Sequence, residues 1–220
     1  MKRVTAALLP GLTFLVLLGV WQLVAHLQVY PEHLFPSPLA VALGVVELFK
    51  SGDLWQYIWV SLMRFGAGYG VAALLALPLG LLFGRCKPLW SAIDPLVQVL
   101  RPVSPIAWFP LISLWFGIGN LPAIVIIFLA AFYPILLSTV VAVKNVPDLY
   151  LKVATNFGAS QRNTLWNVIV PAAFPQITVG LHIAIGSAWV FLVAGEMLGV
   201  RSGLGYLIID SRNNLRTDLV

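Results

Sequence analysis

The sequence predicts an all-α transmembrane protein, a polytopic helical bundle with five spans. Composition is the first observation: 60% of the 220 residues are hydrophobic and 10% are charged, and mean hydropathy is +0.94. A soluble domain of this size needs a charged surface that such a composition does not supply. The second observation is that charge-free stretches recur along the chain. No Asp, Glu, Lys or Arg falls between Arg3 and Glu32, Arg64 and Arg85, Arg101 and Lys144, or Arg162 and Glu196, and a helix crosses the hydrocarbon core with ~20 apolar residues.

The elements follow in order. Residues 8–27 form the first span. Lys2 and Arg3 precede it as they would a signal peptide, but the apolar run exceeds the usual ~7–15 residues and no small-x-small cleavage site follows, so it reads as a retained anchor. Leu39, Leu43, Val46 and Phe49 then recur at helical spacing on a segment that also carries Glu47 and Lys50. That segment either lies along the outer surface or caps the other helices. Trp55, Tyr57 and Trp59 mark an interface before the second span, 58–83. Within that span Gly66 and Gly70, with Gly80 to Gly84 further on, predict close helix packing.

The stretch of 42 residues between Arg101 and Lys144 holds two spans, 95–116 and 121–143, divided at Gly117-Ile118-Gly119-Asn120 and Pro122. Pro102, Pro105 and Pro110 break the helical ladder of the third span. Irregular backbone at membrane depth is tolerated where it is buried in protein or lines a cavity, so part of a translocation path is expected here. The fifth span is 172–197. Glu196 near its end is costly at membrane depth unless solvated by Arg201 and the interface, or paired; Arg64 either pairs with it or faces headgroups, and a gate or helix-pairing role is expected for Glu196. Residues 201–220 form a polar segment on the outer side.

Charge sets the topology. With the N-terminus in the cytoplasm, Lys2, Arg3, Arg85, Lys87, Lys144, Lys152 and Arg162 all lie inside, whereas residues 28–53 carry Lys50 against Glu32, Glu47 and Asp53. The net charge of +5 is thus an orientation signal, and no soluble basic face for nucleic acid is expected. Enzyme signatures are missing. Gly80 to Lys87, GLLFGRCK, is not a P-loop; Gly66 to Val71, GAGYGV, is not a dinucleotide fingerprint; Gly186-Ser187 lacks nucleophile-elbow spacing; and Cys86, the single cysteine, joins no zinc-ligand cluster. No catalytic residue, metal site or cofactor site is expected in this chain.

Between the fourth and fifth spans, residues 150–171 carry Lys152, Asn156, Gln161, Arg162 and Asn163, which do not belong in lipid. This segment is a surface loop in a single domain that covers residues 1–220. Gly158 supplies either a positive φ or room for another backbone, and Pro171 suits the start of the fifth helix. Its spacing, Ala154-x3-Gly158 and then Val168-x-Val170-Pro171, resembles the cytoplasmic loop of ATP-binding-cassette (ABC) importer permeases, whose pattern reads Glu-Ala-Ala-x3-Gly-x9-Ile-x-Leu-Pro. Lys152-Val153 depart from the Glu-Ala of that pattern, and Val168 and Val170 replace its Ile and Leu. Pro36-Ser-Pro38, Ser61-Leu-Met-Arg64 with Gly68, Asp94-Pro95, Arg101-Pro-Val-Ser-Pro-Ile-Ala-Trp108-Phe-Pro110 and Trp115-Phe-Gly-Ile-Gly119 are similar to the nitrate, sulfonate, taurine and bicarbonate branch of that family.

The resemblance implies a type I ABC importer-like permease in a bacterial inner membrane. Two permease subunits, expected as a homodimer in the bilayer, would move a small oxyanion by alternating access. An extracytoplasmic solute-binding protein would deliver it, and cytoplasmic ATPase subunits would bind ATP and Mg and dock on Lys152, Ala154, Gly158, Ala159, Val168 and Pro171. Arg101, Ser104, Pro105, Trp108, Ser187 and Glu196 are the candidate path or gate residues. Arg101 fits two readings, attraction of the oxyanion or snorkelling to cytoplasmic headgroups. The family's members return through a sixth helix, so the sequence is expected to end one span short, at Val220. An ion-gradient-driven transporter or channel is the rival reading; it needs intramembrane ionisable relays and an inverted repeat, neither of which stands out.

Overall fold

The computed structural model describes residues 2–220, with side chains described from Gly11 onward. Its α-helices are α1 (Lys2–His26), α2 (Pro38–Ser51), α3 (Asp53–Arg85), α4 (Lys87–Leu100), α5 (Phe109–Phe116), α6 (Asn120–Lys144), α7 (Asp148–Asn156), α8 (Gln161–Thr164), α9 (Val170–Gly199) and α10 (Leu204–Asn213). Short 3₁₀ turns cover Pro105–Trp108 and Thr217–Leu219, and a π turn covers Leu165–Ile169. The chain forms two compact units, one of residues up to Trp59 with Ser202–Val220, the other of Val60–Arg201.

The first unit is held by polar contacts between elements distant in sequence. Ser37 caps α2, its hydroxyl accepting from the Ala40 N–H at 3.2 Å with Pro38 following, and Gly52 at φ +81° ends the helix. The Trp21 indole donates to the Pro36 carbonyl at 3.0 Å. The Thr217 hydroxyl donates to the His33 carbonyl at 2.6 Å, and the Arg216 guanidinium joins Glu47 of α2 at 2.6 Å and Asp218 at 2.9 Å. Gly44 makes this approach possible, because a Cβ there would stand 2.7 Å from Leu219 Cδ2. The expected apolar stripe of α2 forms as a helix, with Leu39, Leu43, Val46 and Phe49 exposed.

In the second unit α6 is the central helix. Ala123, Ile126, Ile127 and Ala131 are fully buried. On one side α3 runs parallel to it: Cβ atoms built on Gly68, Gly80 and Gly84 would lie 2.8 Å from Ile127, 2.5 Å from Thr139 and 2.5 Å from Val143. On the other side α9 runs antiparallel, with Gly180 against Ser138 and Gly195 against Ala123. In lipid the hydrophobic effect gives no drive for helices to associate, so close approach and dispersion must supply it. A stripe of Gly68, Ala72, Ala76 and Gly80, each four residues from the last, provides that approach on α3. Gly66 and Gly70, two of the positions expected to pack, face open space instead. They lie half a turn away from the contacting stripe, so the expectation is corrected to Gly68 at that end, while Gly80 and Gly84, also expected to pack, do so against Thr139 and Val143.

Among the described residues three helices are long and apolar enough to cross a membrane, Asp53–Arg85, Asn120–Lys144 and Gln161–Gly199. The expected third span is instead α4 and α5, bent by 83° across the break that the prolines create; counted together they make a fourth. The described apolar part of α1, Gly11–His26, is shorter than these. Pro171 lies in the first turn of α9, the expected place at the start of the fifth helix, but the backbone does not begin afresh there. It lies within the continuous helix Gln161–Gly199, just after the π turn, whose extra residue per turn accommodates a ring that would otherwise clash with the carbonyl four residues earlier.

Candidate coupling loop and translocation path

The polar segment after α6 folds into two short helices joined by a glycine turn. Leaving α7, Gly158 adopts φ +70°, its N–H bonding the Thr155 carbonyl at 2.9 Å while the Ala159 N–H bonds the Ala154 carbonyl at 3.0 Å. These two bonds form a Schellman cap, which needs a left-handed residue at that position. Nothing lies within 4 Å of a Cβ built on Gly158, so the conformation and not crowding within the chain accounts for glycine. Ser160 then caps α8 by accepting from the Asn163 N–H at 3.3 Å.

Ala154 is buried beneath this turn, Ala159 and Val168 are half-buried, and Lys152, Gly158 and Pro171 are exposed. Phe157 at the tip is 87% exposed, and Leu149, Tyr150 and Val153 of α7 are exposed with it. Residues 149, 150, 153 and 157 share one helical face. Sequence reasoning missed this face, whose signal was an aromatic directly before Gly158 in an otherwise polar segment.

Arg101, Ser104, Pro105 and Trp108 come together at the break between α4 and α5. Arg101 and Ser104 are exposed, while Pro105 and Trp108 are half-buried. The break lies toward the Gly199 end of α9, where the Phe109 ring stands 2.7 Å from a Cβ built on Gly199. At the opposite end Trp90 packs on Phe83 and lies beneath Lys144. α4 begins at Lys87, so Arg101 is about 20 Å further along it. The helix therefore starts eight residues before the expected boundary near residue 95. Ser113, a turn into α5, buries its hydroxyl oxygen without a hydrogen-bond partner, alone in this among the described side chains. Ser187 is half-buried on α9.

Glu196 is fully buried and does not join the Arg101 group. Arg64 Nη1 donates to Glu196 Oε1 at 2.7 Å, and the Ser61 hydroxyl lies 2.8 Å from both carboxylate oxygens. Arg64 also donates to Asn120 Oδ1 through Nε at 3.0 Å and Nη2 at 2.7 Å. One guanidinium therefore ties α3, the first residue of α6 and the end of α9 together. Of the alternatives open for Arg64, pairing is the one found. Ser61 and Asn120 carried no such role in sequence reasoning, since a Ser in an apolar run and an Asn in a turn have common local explanations.

Residues 76–220 match the family of the binding-protein-dependent transport system inner membrane component. The chain belongs to that family. It is similar to the taurine transport system permease protein of Escherichia coli strain K12, with 36% identity over 94% of this chain and 78% of the relative. It is also similar to a nitrate import permease protein of Synechococcus elongatus, with 35% identity over 90% and 74% of the two chains. Among solved structures, a chain of the inward-facing MetNI methionine ABC transporter superposes with a TM-score of 0.63 at 18% identity, covering 76% of this chain and 85% of its own. At that identity the likeness shows the fold.

Membership places this chain among ABC importer permeases and makes it a multi-pass membrane protein. As a member of the family it has in one unit both an exposed turn between α7 and α8 and a helix broken by prolines. The matched region includes both, and also Glu196 and Asn120.

Proposed function

We propose that the chain is the permease subunit of an ATP-driven importer that moves a small oxyanion of the nitrate, sulfonate, taurine or bicarbonate class by alternating access. The turn around Gly158 is the element that carries the reading: a rigidly capped loop presents an aromatic residue and an apolar helical face outward, as a docking element for another protein requires. In this reading cytoplasmic ATPase subunits bind ATP and Mg and receive Lys152, Phe157 and Gly158, with Ala154, Ala159, Val168 and Pro171 supporting the turn. A second copy of this chain completes the pathway, and an extracytoplasmic binding protein delivers the solute. Closure of the ATPase pair moves the turn, and α9, continuous with α8 through the π turn, carries that motion into the membrane.

The solute class is supported by the taurine and nitrate named for the relatives, both of which offer planar or tetrahedral oxyanion groups. Arg101, exposed at the break beside Ser104, offers planar donors suited to such groups. Trp108, Pro105 and Ser187 complete the proposed path, with Glu196 holding helices at its end rather than contacting solute. Gly158→Val tests the reading. A β-branched residue at a positive φ costs about 1–3 kcal/mol, so substrate-stimulated ATP hydrolysis by the assembled complex is expected to fall about ten-fold while membrane insertion is unchanged. Full stimulation in the variant would remove the turn from the mechanism.

A further inference from the structure

At the end of the second unit opposite Glu196, a cleft of about 560 Å³ opens between the last turn of α3, the first turn of α4, the last turn of α6 and the start of α7. Arg85, Lys87 and Lys144 line it, against one carboxylate, Asp148. Two of these cations have a bland explanation, since basic residues suit helix C-termini such as those of α3 and α6. Lys87 does not, because it opens α4, where the helix already presents partial positive charge. None of the three cations forms an ion pair among the described residues. The positive charge is therefore concentrated, three cations against the single carboxylate of Asp148. Lys144 is held in place, its ammonium 4.8 Å from the centroid of Trp90. Below the cations the lining is apolar, with Val143, Val146 and Ile169.

We propose that this cleft binds the phosphate of an anionic membrane lipid, with Arg85, Lys87 and Lys144 around the phosphate and the apolar floor under the glycerol. A free inorganic phosphate would share the cation chemistry but gain nothing from the floor. Basic pockets between transmembrane helices recognise such headgroups at about 1 kcal/mol per cation, which corresponds to about five-fold in affinity. The cleft lies apart from the proposed path and shares α7, through Asp148 and Leu151, with the helix that carries the Phe157 face; lipid binding by the chain alone reads it without the importer reading.

Native mass spectrometry of the full chain in neutral detergent, titrated separately with phosphatidylglycerol and phosphatidylcholine of matched acyl chains, tests it. One phosphatidylglycerol is expected to be retained in preference to phosphatidylcholine. Lys87→Gln and Lys144→Gln are each expected to weaken retention about five-fold, while Arg212→Gln, which removes a charge elsewhere, leaves it unchanged. Equal retention of the two lipids, or equal weakening by all three substitutions, would overturn the proposal. Release of phosphatidylglycerol by an equimolar amount of inorganic phosphate would overturn the lipid assignment. Unchanged elution volume and helical circular dichroism of each variant exclude misfolding as the cause of weakened binding.

Discussion

Glu196 is fully buried because Arg64 and Ser61 supply the donors that its carboxylate loses on leaving water. Removing one partner of such a pair strands the other charge, at a cost of about 3–5 kcal/mol. Glu196→Gln is therefore expected to lower the thermal unfolding midpoint of the purified protein clearly, and Arg64→Met to do the same. An unchanged midpoint in both would deny the pair a structural role. The exposed Arg216 cluster behaves differently. The Arg216 guanidinium holds the Glu47 and Asp218 carboxyls below their ordinary values. Their contribution is thus complete above the unfolded-chain carboxylate pKa, about 4, and is lost as pH falls through the lower folded values. Hydrogen exchange of residues 214–220, corrected for the intrinsic pH dependence, should show protection steady from neutral pH to about pH 5 and declining below about pH 4. The decline should be modest, because exposed pairs contribute little; protection that increases on acidification would contradict the assignment. At this scale the sequence identified Glu196 as expensive and offered Arg64 as its partner or as a headgroup contact, but could not choose, because Arg64 lies 132 positions away and only the fold decides which helices meet there.

Among the elements, the small-residue stripe of α3 makes the sharpest prediction. Gly68→Val places its side chain against Ile127 and the Ile124 carbonyl, each 2.8 Å from the new Cβ, whereas Gly66→Val meets open space. Overpacking costs about 1–3 kcal/mol, so the unfolding midpoint should fall for Gly68→Val and stay nearly constant for Gly66→Val. Equal effects would mean that α3 packs in another register. The spacing of small residues was legible, but Gly66 and Gly70 have the same period as Gly68 and Ala72. Period alone cannot choose between two faces of one helix. The proline break was legible because Pro102, Pro105 and Pro110 act locally on the backbone, whereas the 83° bend that follows depends on packing. Pro171 was legible as a first-turn residue of α9, but the π turn that joins α9 to α8 was not, because nothing in its neighbours announces it.

For the whole molecule, composition and charge-free length were enough to identify an all-helical membrane protein, since both reflect the solvent in which the chain folds. Individual boundaries were not, because continuous helices such as Gln161–Gly199 carry polar turns past the apolar run. Sidedness rests on the distribution of Lys and Arg, and it has a direct check. In a Cys86→Ser background, Asn163→Cys should react with an impermeant thiol reagent from the cytoplasmic side and Glu32→Cys from outside; the opposite pattern would invert the topology. The central claim is that the turn at Gly158 engages an ATP-hydrolysing partner. The most direct measurement is crosslinking from Ala159→Cys, again without Cys86, in membranes containing the subunits encoded with this chain. The account predicts a covalent adduct with the subunit that hydrolyses ATP, and solute uptake that requires ATP. Uptake that persists without ATP and collapses with an ion gradient, with no adduct formed, would contradict it.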